Sequence, residues 1–199
     1  MTPRTGRQRR RTWTACFGGY AHISPVEIQG SRAFLAKLLI GLQAGRRRVT
    51  NALEDGAGIG RVTEGLLLPL ADKVDVIEPV AKSTTELAAK HGVRNVFNDL
   101  IWAQWCVGYL TDEQLVSFLA SCKTVLQAEI GCIVLKENVS SSDDDLYDAE
   151  DSSVMRTDTM FWDILKQAGL RLVRTGLQRG VHMKGYDKLC PIRMYALEA

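Results

Sequence analysis

No acidic residue occurs before Glu27, although Arg4, Arg7, Arg9, Arg10 and Arg11 crowd the same stretch. Such a start suits a nucleic-acid arm, a nuclear signal or a transit peptide. Pro3 and Gly6 work against an amphipathic helix there, so a disordered basic tail over residues 1–16 is expected, with nucleic acid not the expected partner. Cysteines lack pattern: Cys16, Cys106, Cys122, Cys132 and Cys190 form no CxxC and are odd in number. With no secretory signal visible, reduced thiols in the cytosol are expected, with the nucleus as a second compartment. His22, His91 and His182 lie far apart without ligand spacing, which argues against a metal site. No apolar run approaches the ~18 residues of a bilayer span, so no membrane partner is expected. Internal repeats and linker-like stretches are absent too, and residues 17–199 read as one domain.

What is present suits one sizeable core: 199 residues, 46% hydrophobic and 24% charged. GSRAFLAKLL (30–39) reads as an amphipathic helix that Ser31 could cap. VTNALE (49–54) reads as a strand ending in glycines, and RVTEGLLLPL (61–70) as a helix despite Gly65. VDVIE (74–78) is a second strand, and KSTTELAAKH (82–91) a helix stopped by Gly92. TDEQLVSFLASCKTVL (111–126) is a long helix with a Thr cap. GCIVLKEN (131–138) has the nearly all-apolar character of a strand buried on both faces. RTDTMFWDILKQAGL (156–170) is another helix, and RLVRTGLQ (171–178) and CPIRMYALEA (190–199) are closing strands. Between them SSSDDDLYDAEDSS (140–153) carries six carboxylates and no base, and reads as a loop. The alternation of strands and helices predicts an α/β, doubly wound fold with a mostly parallel sheet and helices on both faces.

The chemistry concentrates in ALEDGAGIGR, residues 52–61. Gly56, Gly58 and Gly60 alternate between a strand and a helix, which lets the backbone turn sharply and approach a ligand. A dinucleotide fingerprint would read GxGxxG; here the third glycine comes one residue early, and Arg61 occupies its place. Glu54, two residues before the first glycine, completes the (D/E)xGxGxG pattern of S-adenosylmethionine sites. Its carboxylate can accept from the cofactor's ammonium, and Arg61 can pair with its carboxylate. Glu78, 18 positions beyond Gly60, stands where a ribose hydroxyl pair is usually held.

With those residues in hand, the chain resembles the eukaryotic alpha-N-terminal protein methyltransferases, a Rossmann-like class I family using S-adenosylmethionine. The resemblance runs from about Phe17 onward through GGYAHIS (18–24), ALEDGAGIGRVTEGLLLPL (52–70), IWAQWCVGYLTD (101–112), IVLKEN (133–138) and EDSSVMRTD (150–158). It implies methylation of the free α-amino group of proteins starting X-Pro-Lys after Met removal, ribosomal proteins being one class of partner. It implies cofactor contacts at Gly18, Gly19, Gly56, Arg61, Glu78 and Gln104, joining Glu54, Gly58 and Gly60 of the glycine turn. It implies a substrate channel at Trp105, Tyr109, Asn138, Asp151 and Ser153. Asp151 is the expected proton acceptor, with Tyr109 second, where animal members carry histidine. A phenol with a pKa of ~10 is a poorer base than imidazole, so Tyr109 suits orientation. Asn138 suits the first peptide group, Trp105 the proline ring, and Asp148 and Asp151 the lysine. Apart from the resemblance, Trp105 reads equally as core, Asn138 and Tyr109 as backbone-satisfying groups, and Asp143, Asp144 and Asp145 as a solvated loop. A small-molecule amine methyltransferase and an inactive peptide binder are the alternatives.

Two departures carry expectations. An Arg-rich start replaces the family's Trp-Gly-Met-Leu entry, which helps to cover the cofactor. And the sheet is shortened between the third and fourth strands, because VRNVF (93–97) and DLIWAQW (99–105) are separated only by Asn98. In the family's strand order, 3-2-1-4-5-7-6, those strands stand about 14 Å apart, and one residue covers about 3.5 Å. VRNVF is therefore expected to give way to DLIWAQW, and cofactor affinity to weaken.

Overall fold

The computed structural model describes residues 23–78, 97–149, 152–180 and 191–199. Gly18, Gly19 and Asp151, the expected helix over 82–91, and Val93 to Val96 lie outside them. Six strands form one sheet: β1 (Val49–Asp55), β2 (Ala71–Ile77), β3 (Leu100–Gln104), β4 (Cys132–Asn138), β7 (Arg171–Leu177) and β8 (Ile192–Glu198). Their order is β2-β1-β3-β4-β8-β7. The first four are parallel, and β8 is antiparallel to both β4 and β7. This is the expected doubly wound order, without a described strand outside β2.

Two cores sandwich the sheet. Helices α2 (Asp112–Thr124) and α3 (Asp158–Gln167) cover one face, burying Leu115, Leu119, Phe161 and Ile164 against Ile101, Ile133, Leu135 and Leu197. On the other, α1 (Ser24–Lys37) and a π-helix over Thr63–Leu67 bury Phe34, Leu35, Leu66 and Leu67 against Leu100, Trp102, Val134 and Ala196. Coverage on both sides explains why LIWAQ and CIVLKE are buried at every position. Each large apolar side chain enclosed there contributes about 1.5–3 kcal/mol of transfer free energy.

Local chemistry sets the boundaries. Thr111 caps α2 in a reciprocal box with Gln114, and Thr157 caps α3 through the Met160 amide. Gly169, at φ +68°, ends α3, with Leu170 N–H returning to Leu165 O at 3.2 Å. The first helix begins six residues earlier than its apolar stripe predicts, at Ser24, with Pro25 in its first turn. Ser31 therefore does not cap it: Ser31 lies mid-helix, its hydroxyl donating to Glu27 O at 3.2 Å and Glu27 Oε1 at 3.1 Å. The acidic stretch is not wholly loop either. It contributes a hairpin, β5 (Leu146–Asp148) with β6 (Ser153–Met155), in which Asp148 pairs with Ser153.

At the start of β3, DLIWAQW takes the strand position beside β1. Phe97 is exposed and in no strand, and Asn98 is pinned to the end of α2. Its amide donates to Val125 O at 2.9 Å, and Gln127 N–H donates to Asn98 O at 2.8 Å. Asp99 then accepts from Thr50 N–H at 2.6 Å and Asn51 N–H at 3.2 Å. A buried carboxylate holding two β1 amides fixes where β3 begins.

Candidate active site

The parallel strands β1 to β4 all deliver their carboxyl ends to one edge of the sheet, where doubly wound folds bind ligands. After β1 the chain passes through Gly56, Gly58 and Gly60, at φ +68°, +56° and +84°. All three occupy the left-handed region that an L side chain enters only with strain. Gly56 also has a packing duty, because a Cβ there would stand 2.5 Å from Cys106 Cβ. A Cβ on Gly58 would meet nothing within 4 Å. Gly58 N–H donates to Glu78 Oε2 at 2.6 Å, joining the turn to the end of β2.

Behind this turn lies a buried ionic cluster centred on Glu27, a fully buried residue of α1. Its carboxylate takes a charge-assisted bond from Arg61 and another from Lys136. Lys136 Nζ further donates to Ser31 Oγ at 2.8 Å and Gln178 Oε1 at 2.9 Å. Burial alone would raise Glu27, but Lys136 and Arg61 overcome it and hold the carboxyl below its usual range. Burial pushes Lys136 down to about 8 against the attraction of Glu27. Glu54 accepts from the Thr63 hydroxyl, yet burial dominates and raises it to about 7. The Arg61 guanidinium also stands 5.4 Å from the Trp105 ring centroid, in cation–π range.

At the ends of β3 and β4 the side chains change character. Gln104 is buried; its Oε1 accepts from Trp102 Nε1 at 3.0 Å, and its Nε2 has no protein partner. Trp105 leaves the strand at φ +54°, and its Nε1 donates to Asn138 Oδ1 at 3.3 Å. Tyr109 is exposed, in a single 3-10 turn over Val107–Tyr109. The hairpin packs on that turn: a Cβ on Gly108 would lie 3.3 Å from Val154 O and 3.7 Å from Ser153 Cβ. Arg61, Trp105 and Asn138 thus form a contiguous row, and Glu54, Gly58 and Glu78 a second group around the glycine turn. Asp148 is exposed on the hairpin, paired with Ser153.

Sequence reasoning missed Glu27, Lys136, Glu137 and Arg156. Lys136 and Glu137 left a signal, as charges inside a strand otherwise apolar enough to be buried on both faces. Arg156 follows Val154 and Met155 within EDSSVMRTD, where nothing in the pattern marks its side chain as buried.

The residues suit a bound S-adenosylmethionine. An unpartnered amide at Gln104 and open space at Gly58, whose N–H meets the Glu78 carboxylate, are what a polar ligand requires.

Comparison with known proteins agrees. Residues 8–198 match the family model described as AdoMet-dependent proline di-methyltransferase. The chain is 39% identical to alpha N-terminal protein methyltransferase 1 of Schizosaccharomyces pombe, over 90% of this chain and 85% of that one. It is 40% identical to N-terminal Xaa-Pro-Lys N-methyltransferase 1-A of Xenopus laevis, over 78% of this chain and 77% of that one. A solved SAM-dependent methyltransferase of Leishmania major superposes with a TM-score of 0.79 at 34% identity, covering 94% of this chain and 77% of that one. The chain belongs to the S-adenosylmethionine-dependent alpha-N-terminal protein methyltransferase family.

Proposed function

We propose that this chain transfers methyl groups from S-adenosylmethionine to the free α-amino group of proteins starting X-Pro-Lys. The observation that carries this reading is the Trp105–Asn138 pair, an indole and an amide joined at 3.3 Å beside the glycine turn. A flat apolar wall next to a peptide-like amide suits a proline ring following a free N-terminus. The relatives named for Xaa-Pro-Lys substrates support it.

On this reading Gly56, Gly58, Gly60, Glu54, Arg61, Glu78 and Gln104 hold the cofactor, with Gly18 and Gly19 assigned to the same role by resemblance. The bound cofactor supplies an electrophilic methyl group on a sulfonium. The chain's own residues bring the amine to it as a neutral nucleophile. An N-terminal amine has a pKa of ~8, so it needs a local proton acceptor rather than strong activation. Asp151 takes that role, directly or through water, and Tyr109 orients the amine. Asn138 holds the first peptide group, and Trp105 packs on the proline. Ser153 lines the substrate channel, where Asp148 and Asp151 attract the lysine of the third position.

The test is transfer of a labelled methyl group to a Ser-Pro-Lys peptide by the wild type and by Asn138→Ala and Asp151→Asn. Both variants are expected to lose transfer sharply while still binding S-adenosylmethionine. Unchanged turnover in Asp151→Asn removes Asp151 from the mechanism. Turnover only of small amines, or peptide binding without transfer, overturns the reading itself.

A further inference from the structure

The turn from Trp105 to Leu110 carries both Trp105 and Tyr109, and two buried ionisable side chains outside the proposed chemistry hold it. Glu137 Oε1 accepts from Cys106 N–H at 3.0 Å and from Val107 N–H at 3.2 Å. Arg156 donates from Nη1 to Val107 O at 3.3 Å and from Nη2 to Leu110 O at 2.5 Å. Its Nε donates to Asp112 Oδ1 at 2.8 Å. Glu137 is 7% exposed and Arg156 1%.

The turn needs such help. It departs from β3 at a left-handed Trp105, a conformation that costs an L residue about 1–2 kcal/mol. Beyond Trp105 it cannot continue the ladder with β4, so its amides and carbonyls need other partners. Glu137, its carboxyl raised to about 7 by burial, supplies an acceptor oxygen to the amides, and the Arg156 guanidinium donates charge-assisted bonds to the carbonyls. The two side chains lie on β4 and just after β6, so the turn is tied to the main sheet and to the hairpin together.

We infer that Glu137 and Arg156 are positioning residues for substrate recognition, fixing the Trp105–Leu110 turn so that Trp105 and Tyr109 meet the peptide N-terminus in one arrangement. The inference rests on the reading of Trp105 and Tyr109 as peptide-side groups. A merely structural role predicts loss of stability with cofactor and peptide affinities falling together. Positioning predicts a selective rise in peptide KM.

The experiment uses the full chain with S-adenosylmethionine and a Ser-Pro-Lys peptide, comparing Glu137→Ala, Glu137→Gln and Asp112→Ala. Glu137→Ala is expected to raise peptide KM about tenfold with cofactor Kd within about twofold, since two buried amides lose their acceptor. Glu137→Gln keeps an acceptor oxygen and is expected to restore most of that loss. Asp112 is partly exposed and holds Arg156 from outside, so Asp112→Ala carries the test if Glu137→Ala does not fold; about a threefold rise is expected. Hydrogen exchange at Cys106 and Val107 is expected to quicken in Glu137→Ala, and within α2 to stay unchanged. Unchanged peptide KM in folded variants overturns the inference, as does an equal rise in cofactor Kd. A wild type that binds cofactor but never methylates the peptide overturns the proposed function instead, and the peptide half of this inference with it.

Discussion

Two glycines two residues apart should respond differently to the same substitution. Gly56→Ala forces a side chain into φ +68° and sets its Cβ 2.5 Å from Cys106 Cβ, a rigid neighbour one bond from the backbone. Strain of about 1.5 kcal/mol and overpacking of about 2 kcal/mol together remove about 3.5 kcal/mol of stability. At ~2–4 °C per kcal/mol for a chain of this size, Tm falls by about 7–14 °C. Gly58→Ala carries the same strain at φ +56° but meets no atom within 4 Å, so its Tm falls by only about 3–6 °C. Its cost appears in binding, because the methyl group stands in the space assigned to S-adenosylmethionine. A loss of more than tenfold in affinity, about 1.4 kcal/mol, is expected. Thermal unfolding gives the first quantity, and titration calorimetry well below either Tm gives the second. Gly58→Ala with wild-type cofactor affinity, or with a Tm as low as that of Gly56→Ala, would refute the assignment of the turn.

Further outcomes follow from the buried charges. Glu27→Ala leaves Arg61 and Lys136 without their shared anion and should cost about 3–5 kcal/mol in urea unfolding. Adding Lys136→Met should recover part of this, whereas strictly additive effects would show the two uncoupled. Glu54, raised to about 7 by burial, keeps a proton in the folded protein that the unfolded chain releases above about 4.5. Its contribution is therefore full below pH 4.5 and lost as pH climbs through 7, about 3 kcal/mol in all. Glu54→Gln should remove that slope, and an unaltered stability profile would contradict the assignment. Because only Asn98 separates VRNVF from DLIWAQW in the sequence, S-adenosylmethionine should bind more weakly than to a longer relative; equal Kd values would sink that expectation.

The strands were legible wherever burial on both faces made them near-continuously apolar, as in LIWAQ and CIVLKEN. So was the start of α2 at Thr111, where one residue type settles the backbone; the Thr157 cap of α3 was not read. The glycine turn and Glu78 could be read from spacing because their neighbours are near in sequence. The Glu27 cluster could not, since Glu27 meets Arg61 34 residues away and Lys136 109 residues away. The start of α1 was misread because its first turn, SPVEIQ, buries Glu27 where the apolar pattern predicts solvent. The β5–β6 hairpin was hidden by composition: its pairing depends on backbone bonds and packing against the 107–109 turn, while its acidic side chains read as loop.

The most direct test of the account is methyl transfer to one peptide in two forms, Ser-Pro-Lys with a free and with an acetylated N-terminus, followed by mass spectrometry. The account predicts added methyl groups on the free α-amine and none on the acetylated peptide. Equal labelling of both, or transfer to the lysine side chain, would contradict it.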